Sequence, residues 1–260
     1  IPNEICNLDV QWDYNSLFSI SYNNLCPPYP SCIEEYVGYQ DTSECSETVT
    51  DYDGNNYETV QIGEQLWMAE NLKVTHYNNG DEIPTGYANE EWIELGTGAY
   101  AVYDDDPAHA EVYGNLYNWY AVENSGGLCM EGWHVPSDDE WNILITFLDE
   151  KTNPNIYDSQ SYIAGGMLKA TGTIEGGDGL WYTPNEGATN ESGFMALPGG
   201  YRPGGDNNYM SLGYYSSFWS STNETINYSS FKRGLSYNNS NVERYGQLYQ
   251  SGLSVRCLKD

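Results

Sequence analysis

The alternation of apolar and polar residues predicts one long helix in the middle of the chain. The stretch "PSDDEWNILITFLDE" begins with Ser137 as an N-cap, and Glu140 three positions later completes a capping box. Acidic residues fill the first turn, where the helix dipole favours them. One face is apolar at helical spacing, formed by Trp141, Leu144, Ile145 and Leu148. A second, weaker helix is predicted over residues 113–122, "YGNLYNWYAV".

Most of the remaining pattern is typical of short strands separated by Gly, Asn and Asp. In "DYDGNNYETVQIGEQLWMAENL" (51–72), a turn at Asp53-Gly54 or Gly54-Asn55 joins two strands. The apolar positions of the first core hairpin are Val60, Ile62, Leu66, Trp67 and Met68. At the end of the chain, Leu253, Val255 and Cys257 alternate as inward positions of a final core strand. Single helices among many short strands predict an α+β fold rather than a parallel, doubly wound one.

The cysteines divide the chain into two parts. Four of them lie within the first 45 residues, namely Cys6, Cys26, Cys32 and Cys45, and the other two are Cys129 and Cys257. This predicts a stapled N-terminal arm, residues 1–50, and a globular body, residues 51–260. In the arm, "LFSISY" (17–22) alternates like a strand, whereas "CPPYPSC" is too rich in proline for a helix or a central strand. So short an arm has little core, and cross-links or a neighbouring surface must order it.

Charge and cysteine usage narrow the class of protein. Among 260 residues, 38 acidic side chains against 9 basic ones give a formal net charge of -29. Nucleic acid is excluded as a partner because phosphate binding needs clusters of Lys and Arg, and an anionic membrane surface is disfavoured for the same reason. The acidity is typical of solubility outside the cell, with divalent-cation binding as the alternative.

The cysteines and the start of the chain favour secretion. Six cysteines without a CxxC pair, and three dispersed histidines, favour disulfides in an oxidising compartment over a zinc site. No apolar run approaches 18 residues, so we expect no membrane insertion. A start at Ile1 is typical of a mature end after signal-peptide cleavage. We therefore expect an extracellular or cell-surface location.

Two acidic stretches are candidates for calcium sites. In an EF-hand loop that starts at Asp51, glycine stands at position 4 instead of 6 and Ile62 occupies the position of the terminal Glu, so this stretch is a turn. The better candidate is "YDDDPAHAE" (103–111). It contains Asp104, Asp105, Asp106 and Glu111. A solvated loop is the alternative. Apart from this possible calcium, we expect no cofactor.

Catalytic motifs are absent from the sequence. There is no GxSxG elbow, P-loop or HExxH, and no two carboxylates stand out as a glycosidase pair. "GTGAYA" (96–101) resembles a dinucleotide fingerprint but precedes a strand instead of a helix. His134 is interpreted as a hydrogen-bonded core histidine rather than a base. We therefore expect a protein that is not an enzyme.

Two further patterns concern the surface. Glycosylation sequons occur at Asn190, Asn223, Asn227 and Asn238, although chance matches are common in a chain rich in Asn and Ser. A Tyr-Asn-Asn triplet recurs at Tyr22, Tyr77 and Tyr237. Exposed tyrosines beside amides would suit stacking on sugars or adhesion between proteins, and Asn-rich turns covered by tyrosines are an equal alternative.

Long blocks of the body resemble a known family. "DYDGNNYETVQIGEQLWMAENLKVTHYNNGDEIP", "YGNLYNWYAV", "GLCMEGWHVPSDDEW", "GATNESGFMALPGGYR", "YYSSFWSST" and "LSVRCLKD" resemble, in order, the Fibrobacter succinogenes major paralogous domain over about residues 50–260. The resemblance implies a secreted or surface protein of Bacteroidota-type bacteria without established enzymatic activity.

A more distant resemblance concerns the fold. "GWHVPSDDEW" and the terminal "SVRC" are similar to formylglycine-generating enzymes and C-type-lectin-like proteins, which implies a C-type-lectin-like α+β fold with long loops. The enzyme activity does not carry over, because it depends on a pair of active-site cysteines that the body lacks. Its two cysteines, Cys129 and Cys257, are predicted to form a disulfide that joins the chain end to the core. Three pairings are open to the arm cysteines, and the most local joins Cys6 to Cys26 and Cys32 to Cys45.

Two functional hypotheses follow. The first is a non-catalytic structural protein of the bacterial exterior that assembles with copies of itself into a filament or surface layer through the arm, with "LFSISY" adding to a sheet edge. The second is a carbohydrate-binding, lectin-like adhesion module. Its candidate sugar contacts are Trp181, Tyr201, Tyr214, Tyr215, Trp219 and Tyr237, with Asp104, Asp105 and Asp106 as calcium ligands.

Overall fold

A computed structural model describes residues 32–33, 48–154, 156–205, 208–224 and 228–260. The chain divides into two compact units, Ile1–Glu47 and Thr48–Asp260. In the first unit, Cys32 is half-buried and disulfide-bonded. The predictions for Cys6, Cys26, Cys45 and "LFSISY" lie outside the described residues.

The described part of Thr48–Asp260 consists mainly of short strands. They are β1 (Thr48–Thr50), β2 (Asn56–Ile62), β3 (Gln65–Met68), β4 (Tyr100–Ala101), β5 (Leu116–Tyr117), β6 (Trp133–His134), β7 (Asp158–Ser161), β8 (Gly199–Tyr201), β9 (Met210–Leu212), β10 (Tyr215–Glu224), β11 (Ser229–Ser236), β12 (Val242–Leu248) and β13 (Leu258–Lys259). The helices are α1 (Asn89–Trp92), α2 (Pro107–Tyr113), α3 (Trp119–Val122), α4 (Asp138–Leu148) and α5 (Ala164–Leu168). The predicted α+β class is confirmed. The described residues contain no helix long and apolar enough to cross a membrane.

Two main sheets organise the strands. The first has the order β1-β2-β3-β13-β6, so the last strand of the chain is inserted beside the first hairpin. The second has the order β7-β12-β11-β10-β8-β9, and its pairs are antiparallel except for β8 with β10. A two-stranded sheet joins β4 and β5.

The opening turn and hairpin form as predicted. Asp51 accepts hydrogen bonds from the backbone N–H groups of Asp53 and Asn55 at 3.0 and 2.9 Å and from the Tyr57 hydroxyl at 2.6 Å. Gly54 has φ of 85°, as a turn glycine requires. Since the Asp51 carboxylate is committed to these bonds, the stretch is a turn that connects β1 to β2.

Helix α4 confirms the capping prediction. The Ser137 hydroxyl accepts a hydrogen bond from the Glu140 N–H at 3.2 Å, and the Glu140 carboxylate accepts one from the Ser137 N–H at 2.7 Å. Trp141, Leu144 and Ile145 are buried in one core cluster. The helix is thus anchored along the predicted face.

The prediction of a single helix over residues 113–122 is wrong. α2 ends at Tyr113, Gly114 adopts φ of 75°, and the chain then forms β5 before the single turn of α3. The Asn118 side chain caps α3 by accepting a hydrogen bond from the Ala121 N–H at 3.0 Å. The apolar residues of this stretch therefore belong to the end of α2, to β5 and to α3 rather than to one helix.

The end of the chain is buried on both sides. Leu253, Val255 and Cys257 are fully buried, as predicted, in a core cluster with Trp119, but the predicted strand through them does not form, and the final strand is β13 at Leu258–Lys259. The intervening Arg256 is also fully buried, and its guanidinium lies 4.5 Å from the Phe194 ring in a second cluster. Residues 253–257 therefore run between two apolar cores rather than alternating between core and solvent.

A disulfide joins Cys129 to Cys257, as predicted, and ties the loop before α4 to this terminal segment.

His134 differs from its interpretation as a core residue. Its side chain is 37% exposed and lies between Glu140 and Asp260, with Nε2 and Nδ1 at 2.9 and 2.6 Å from their carboxylates. Burial disfavours the charged ring, but the hydrogen bonds to Asp260 and Glu140 outweigh it and raise the pKa of His134.

The basic residues lie mostly inside the protein. Six of the nine lysines and arginines are buried: Lys169, Arg202, Lys232, Arg233, Arg244 and Arg256. The other three are Lys73, Lys151 and Lys259. Since only these three of the nine basic residues lie outside the core, the surface is even more acidic than the net charge suggests.

Candidate functional site

The predicted sugar-binding aromatics do not form one surface. Trp181 and Trp219 are fully buried, and their indole N–H groups donate to the carbonyls of Ala196 and Tyr117 at 3.1 and 2.7 Å. They are core residues and present no face to a ligand, so their proposed role is corrected. The large apolar surface of the tryptophan side chain favours burial at both positions.

The four predicted tyrosines divide into two groups. Tyr214 stacks on Tyr182 with ring centroids 4.2 Å apart and meets the edge of Tyr237 at 5.1 Å. Tyr201 and Tyr215 contact each other elsewhere, with ring centroids 6.4 Å apart. The second pair lines a cleft.

The Tyr-Asn-Asn triplets fit the turn interpretation. Tyr77 is 4% exposed and belongs to the core, and its backbone N–H donates to the Asp81 carbonyl at 2.8 Å. Tyr237 is half-buried, and Asn238 follows it in a turn. Tyr22 lies outside the described residues.

The predicted calcium ligands do not converge. Asp106 caps α2 by accepting a hydrogen bond from the Ala108 N–H at 3.0 Å, and Asp105 accepts one from the Tyr209 hydroxyl at 2.6 Å. Glu111 pairs with Lys73 at 2.6 Å, and Asp104 is exposed at φ of 54°. Among the described residues, no three His, Cys, Asp or Glu side chains are grouped to hold a metal ion. The calcium hypothesis is therefore not supported at these positions.

The described sequons lie on or near the surface. Asn223 and Asn238 are exposed, Asn190 is half-buried, and Asn227 lies outside the described residues. The Asn190 side chain donates from Nδ2 to the Met195 sulfur at 2.8 Å, so glycosylation of that nitrogen would have to displace this contact.

The best candidate for a site is the cleft over one face of the second sheet. Its volume is about 610 Å³. It is lined by Tyr201, Pro203, Gly204, Gly205, Met210, Ser211, Tyr215, Lys232, Glu243, Tyr245, Gly246, Gln247 and Leu248. The strand register explains why these side chains meet: Lys232 of β11 lies opposite Tyr245 of β12, and Gly234 lies opposite Glu243. Alternate residues of neighbouring strands share one face of a sheet, so the cleft floor is built on rigid strands.

Lys232 forms the floor of the cleft. The residue is 8% exposed, and its ammonium lies 3.2 Å from the Tyr215 hydroxyl, 3.3 Å from the Ser217 hydroxyl and 4.7 Å from the centre of the Tyr215 ring. Burial lowers the pKa of Lys232 to about 8, although the charge of Glu243 opposes this change.

Tyr215 links Lys232 to Glu243. Its hydroxyl donates a short hydrogen bond to the Glu243 carboxylate. Burial, followed by the negative charge of Glu243, raises the pKa of Tyr215 far above its ordinary value. The phenol therefore keeps its proton, and the three side chains form a chain from ammonium through phenol to carboxylate.

Gly234 makes room for this arrangement. A Cβ atom at position 234 would overlap the Tyr215 hydroxyl, so a side chain there would displace the phenol. Beside it, the Tyr245 hydroxyl donates a short hydrogen bond to Asp158, and this bond together with burial raises the pKa of Tyr245 to about 12. Both tyrosines are thus held as protonated phenols at the edges of the cleft.

The opposite face of the same strands is fixed to α4. Arg233 and Arg244 both bind the buried Asp138 carboxylate, with closest distances of 2.8 and 2.7 Å. The second guanidinium also donates through Nε at 2.9 Å, which makes its contact bidentate. This anchor holds the strand pair that presents Lys232 and Glu243.

The arrangement offers a ligand aromatic faces, one buried cation and one carboxylate. Sequence reasoning selected Tyr201 and Tyr215 but missed Lys232, Glu243 and Tyr245. A usable signal existed in β11 and β12. Each strand contains a charged residue, a lysine in β11 and a glutamate in β12, and charged residues predict that one face of a strand is polar. Their pairing register is what brings them together, and no local pattern shows it.

Comparison with known proteins identifies one family. The model of the Fibrobacter succinogenes major domain matches residues 60–259. No curated protein and no solved structure matches the chain. The resemblance read from the sequence is confirmed, whereas the C-type-lectin-like fold stays a prediction.

Proposed function

We propose, from the premise that this chain belongs to the Fibrobacter succinogenes major domain family, that it is a non-catalytic recognition protein of the bacterial cell exterior. Its ligand is a neutral, hydroxyl-rich molecule, of which carbohydrate is the fitting class, and it binds in the cleft over β10, β11 and β12. The observation that carries this proposal is the meeting of Tyr201, Tyr215 and Tyr245 around Lys232 and Glu243 in one cleft.

The chemistry of the cleft suits a sugar. Tyrosine rings can stack on the C–H faces of a pyranose, while Lys232 donates to and Glu243 accepts from its hydroxyl groups. The two charges offset each other within the cleft. An acidic sugar would in addition be repelled by the negative charge of the surface, since only three of the basic residues lie outside the core.

The hydrogen bonding supports recognition rather than catalysis. A general base must be free to take a proton from the substrate, whereas Glu243 already accepts the proton of Tyr215. Tyr215 in turn keeps its proton because its pKa is raised. An exterior location is supported by the Cys129–Cys257 disulfide, since such bonds persist in oxidising compartments.

A glycan array with and without chelator tests the proposal, followed by titration calorimetry of the best binder. Tyr201→Ala should weaken binding about tenfold, as expected for one lost ring contact of about 1.4 kcal/mol. Tyr214→Ala is the matched control, because this exposed tyrosine lies outside the cleft. Binding should persist in chelator, since the predicted calcium ligands are dispersed. Blank arrays, or equal losses in the two variants, would contradict the proposal.

A second candidate function is self-assembly into a filament or surface layer through residues 1–50. It is favoured by the separate N-terminal unit, Ile1–Glu47, which holds four of the six cysteines. With a net charge of -29, copies of the protein repel one another, so assembly should need salt to screen this repulsion.

Electron microscopy and light scattering of the full chain and of a variant without residues 1–50 test this candidate over a range of salt concentrations. The full chain should assemble as salt rises, and the truncated variant should stay monomeric. A monomeric full chain at high concentration and high salt, or equal assembly of both proteins, would rule it out.

A further inference from the structure

Lys232 differs from the other buried basic residues in what surrounds its charge. Arg233 and Arg244 share the Asp138 carboxylate. The Lys169 ammonium donates to three backbone carbonyls at 2.9–3.0 Å. Lys232 contacts two hydroxyl groups, and within the described chain it makes no ion pair as short as 4.0 Å.

This environment makes the neutral amine more accessible than it is in an exposed lysine. Two hydroxyl groups and an aromatic face compensate a buried ammonium less well than a carboxylate does. Burial accordingly lowers the pKa of Lys232 to about 8. Unlike Lys169, which is fully buried away from the cleft, Lys232 lines a cleft of about 610 Å³. A desolvated lysine amine that faces a binding cavity can act as a nucleophile toward carbonyl groups.

We propose that Lys232 captures an aldehyde in the cleft as an imine. The inference rests on the proposed function, because the aldehyde would be the open-chain form of a reducing sugar. The lone pair of Nζ forms a bond to the carbonyl carbon, and the carbonyl oxygen takes up a proton to give a carbinolamine. Loss of one water molecule, formed from that hydroxyl and the remaining proton of Nζ, leaves the C=N bond. No oxidant or reductant takes part.

The neighbouring hydroxyls provide a route for the protons. Tyr215 and Ser217 lie 3.2 and 3.3 Å from Nζ, so either oxygen can accept the proton that the amine releases as the C–N bond forms. Glu243 accepts the hydrogen bond of the Tyr215 hydroxyl and extends this route toward the open cleft. These residues position the amine and take up the proton that it releases, and the C–N bond forms at Lys232 alone.

The test treats the full chain with glyceraldehyde and sodium cyanoborohydride at neutral pH and follows each lysine by peptide mass spectrometry. At pH 7 a lysine of pKa about 8 is roughly one-tenth neutral, against roughly one part in 2,500 at the ordinary pKa of about 10.4. Lys232 should therefore be labelled at least about tenfold faster than exposed Lys151 or Lys259. Lys169 is the matched control, because its pKa is also lowered to about 8 but it does not line the cleft. It should stay unlabelled.

A methyl glycoside of the best array ligand separates this inference from the proposed function. It has no aldehyde, so it should bind the natural protein without forming a reducible adduct, and it should protect Lys232 from glyceraldehyde. Labelling of Lys232 no faster than of the exposed lysines overturns the inference, while binding of the glycoside still supports the function. Fast labelling with blank glycan arrays supports the inference and contradicts the function.

Discussion

Replacement of Asp138 by Asn should be among the most destabilising single changes in this protein. The carboxylate is 6% exposed and is shared by two guanidinium groups, Arg233 from β11 and Arg244 from β12. It also occupies the first position of α4. One side chain thereby holds the helix against the two strands that form the cleft floor. The substitution leaves two buried cations without their counter-charge.

The magnitude follows from the burial of all three groups. Removing one partner from a buried ion pair costs about 3–5 kcal/mol. In a domain of this size, 1 kcal/mol corresponds to about 2–4 °C in Tm, so Tm should fall by about 6–20 °C. Burial raises the pKa of Asp138, but the hydrogen bond to Arg244 and the charge of Arg233 outweigh this effect, so the pKa is lowered overall. The contribution is therefore present above the ordinary carboxyl pKa, near pH 4, and is lost as the pH falls through the lowered value.

Urea unfolding of both proteins at pH 7 and at pH 3, with calorimetry at pH 7, provides the measurement. Asp139→Asn is the control, because this neighbouring carboxylate in the first turn of α4 is exposed, and its loss should cost only about 0.3–1 kcal/mol. If Asp138→Asn costs no more than Asp139→Asn at pH 7, the anchoring role of Asp138 is wrong. A gap that does not narrow toward pH 3 would contradict the lowered pKa.

Three further predictions concern stability. Because the pKa of His134 is raised, its contribution is fully present below about pH 6.5 and is lost as the pH rises through the folded-state value, so His134→Gln should destabilise the protein at pH 5.5 but hardly at pH 9; a pH-independent difference in Tm would contradict this. The Cys129–Cys257 bond closes a loop of 128 residues, and its replacement by two alanines should lower the free energy of unfolding by about 2–5 kcal/mol in urea; an unchanged midpoint would be evidence against this role. Gly234→Ala should cost about 1–3 kcal/mol by displacing the cleft phenol, whereas Gly205→Ala, whose Cβ meets nothing within 4 Å, should stay within about 0.5 kcal/mol; equal Tm values for the two variants would refute the steric argument.

Local chemistry explains which parts of the fold the sequence could predict. Ser137 and Glu140 define the start of α4 through bonds between residues three positions apart, and Gly54 supplies a positive φ within a five-residue turn. Such signals depend on neighbours in the chain, so they can be read directly. The prediction for the stretch around Gly114 was wrong because β5 forms there and pairs with β4. An apolar run in the sequence does not show which distant strand it will pair with.

The candidate site was harder to predict because its members come from separate strands. Tyr201 and Tyr215 were selected as aromatic residues, but Trp181 and Trp219 met the same criterion and are buried. Net charge was equally incomplete as a guide, since it does not tell that a residue such as Lys232 lies inside. The pairing of β11 with β12 decides which polar side chains meet, and this register is a property of the whole sheet.

The burial of six of the nine basic residues has a consequence for resistance to proteolysis. Proteases of the trypsin type cut after a lysine or arginine that can leave the surface and enter their specificity pocket. Residues 1–72 contain neither lysine nor arginine. Lys73 is half-buried beside Glu111, and the buried six are withheld as long as the domain stays folded. Lys151, directly after α4, and Lys259 are the exposed positions left. The folding that places cations in the core therefore also removes most of the cleavage sites that the sequence contains.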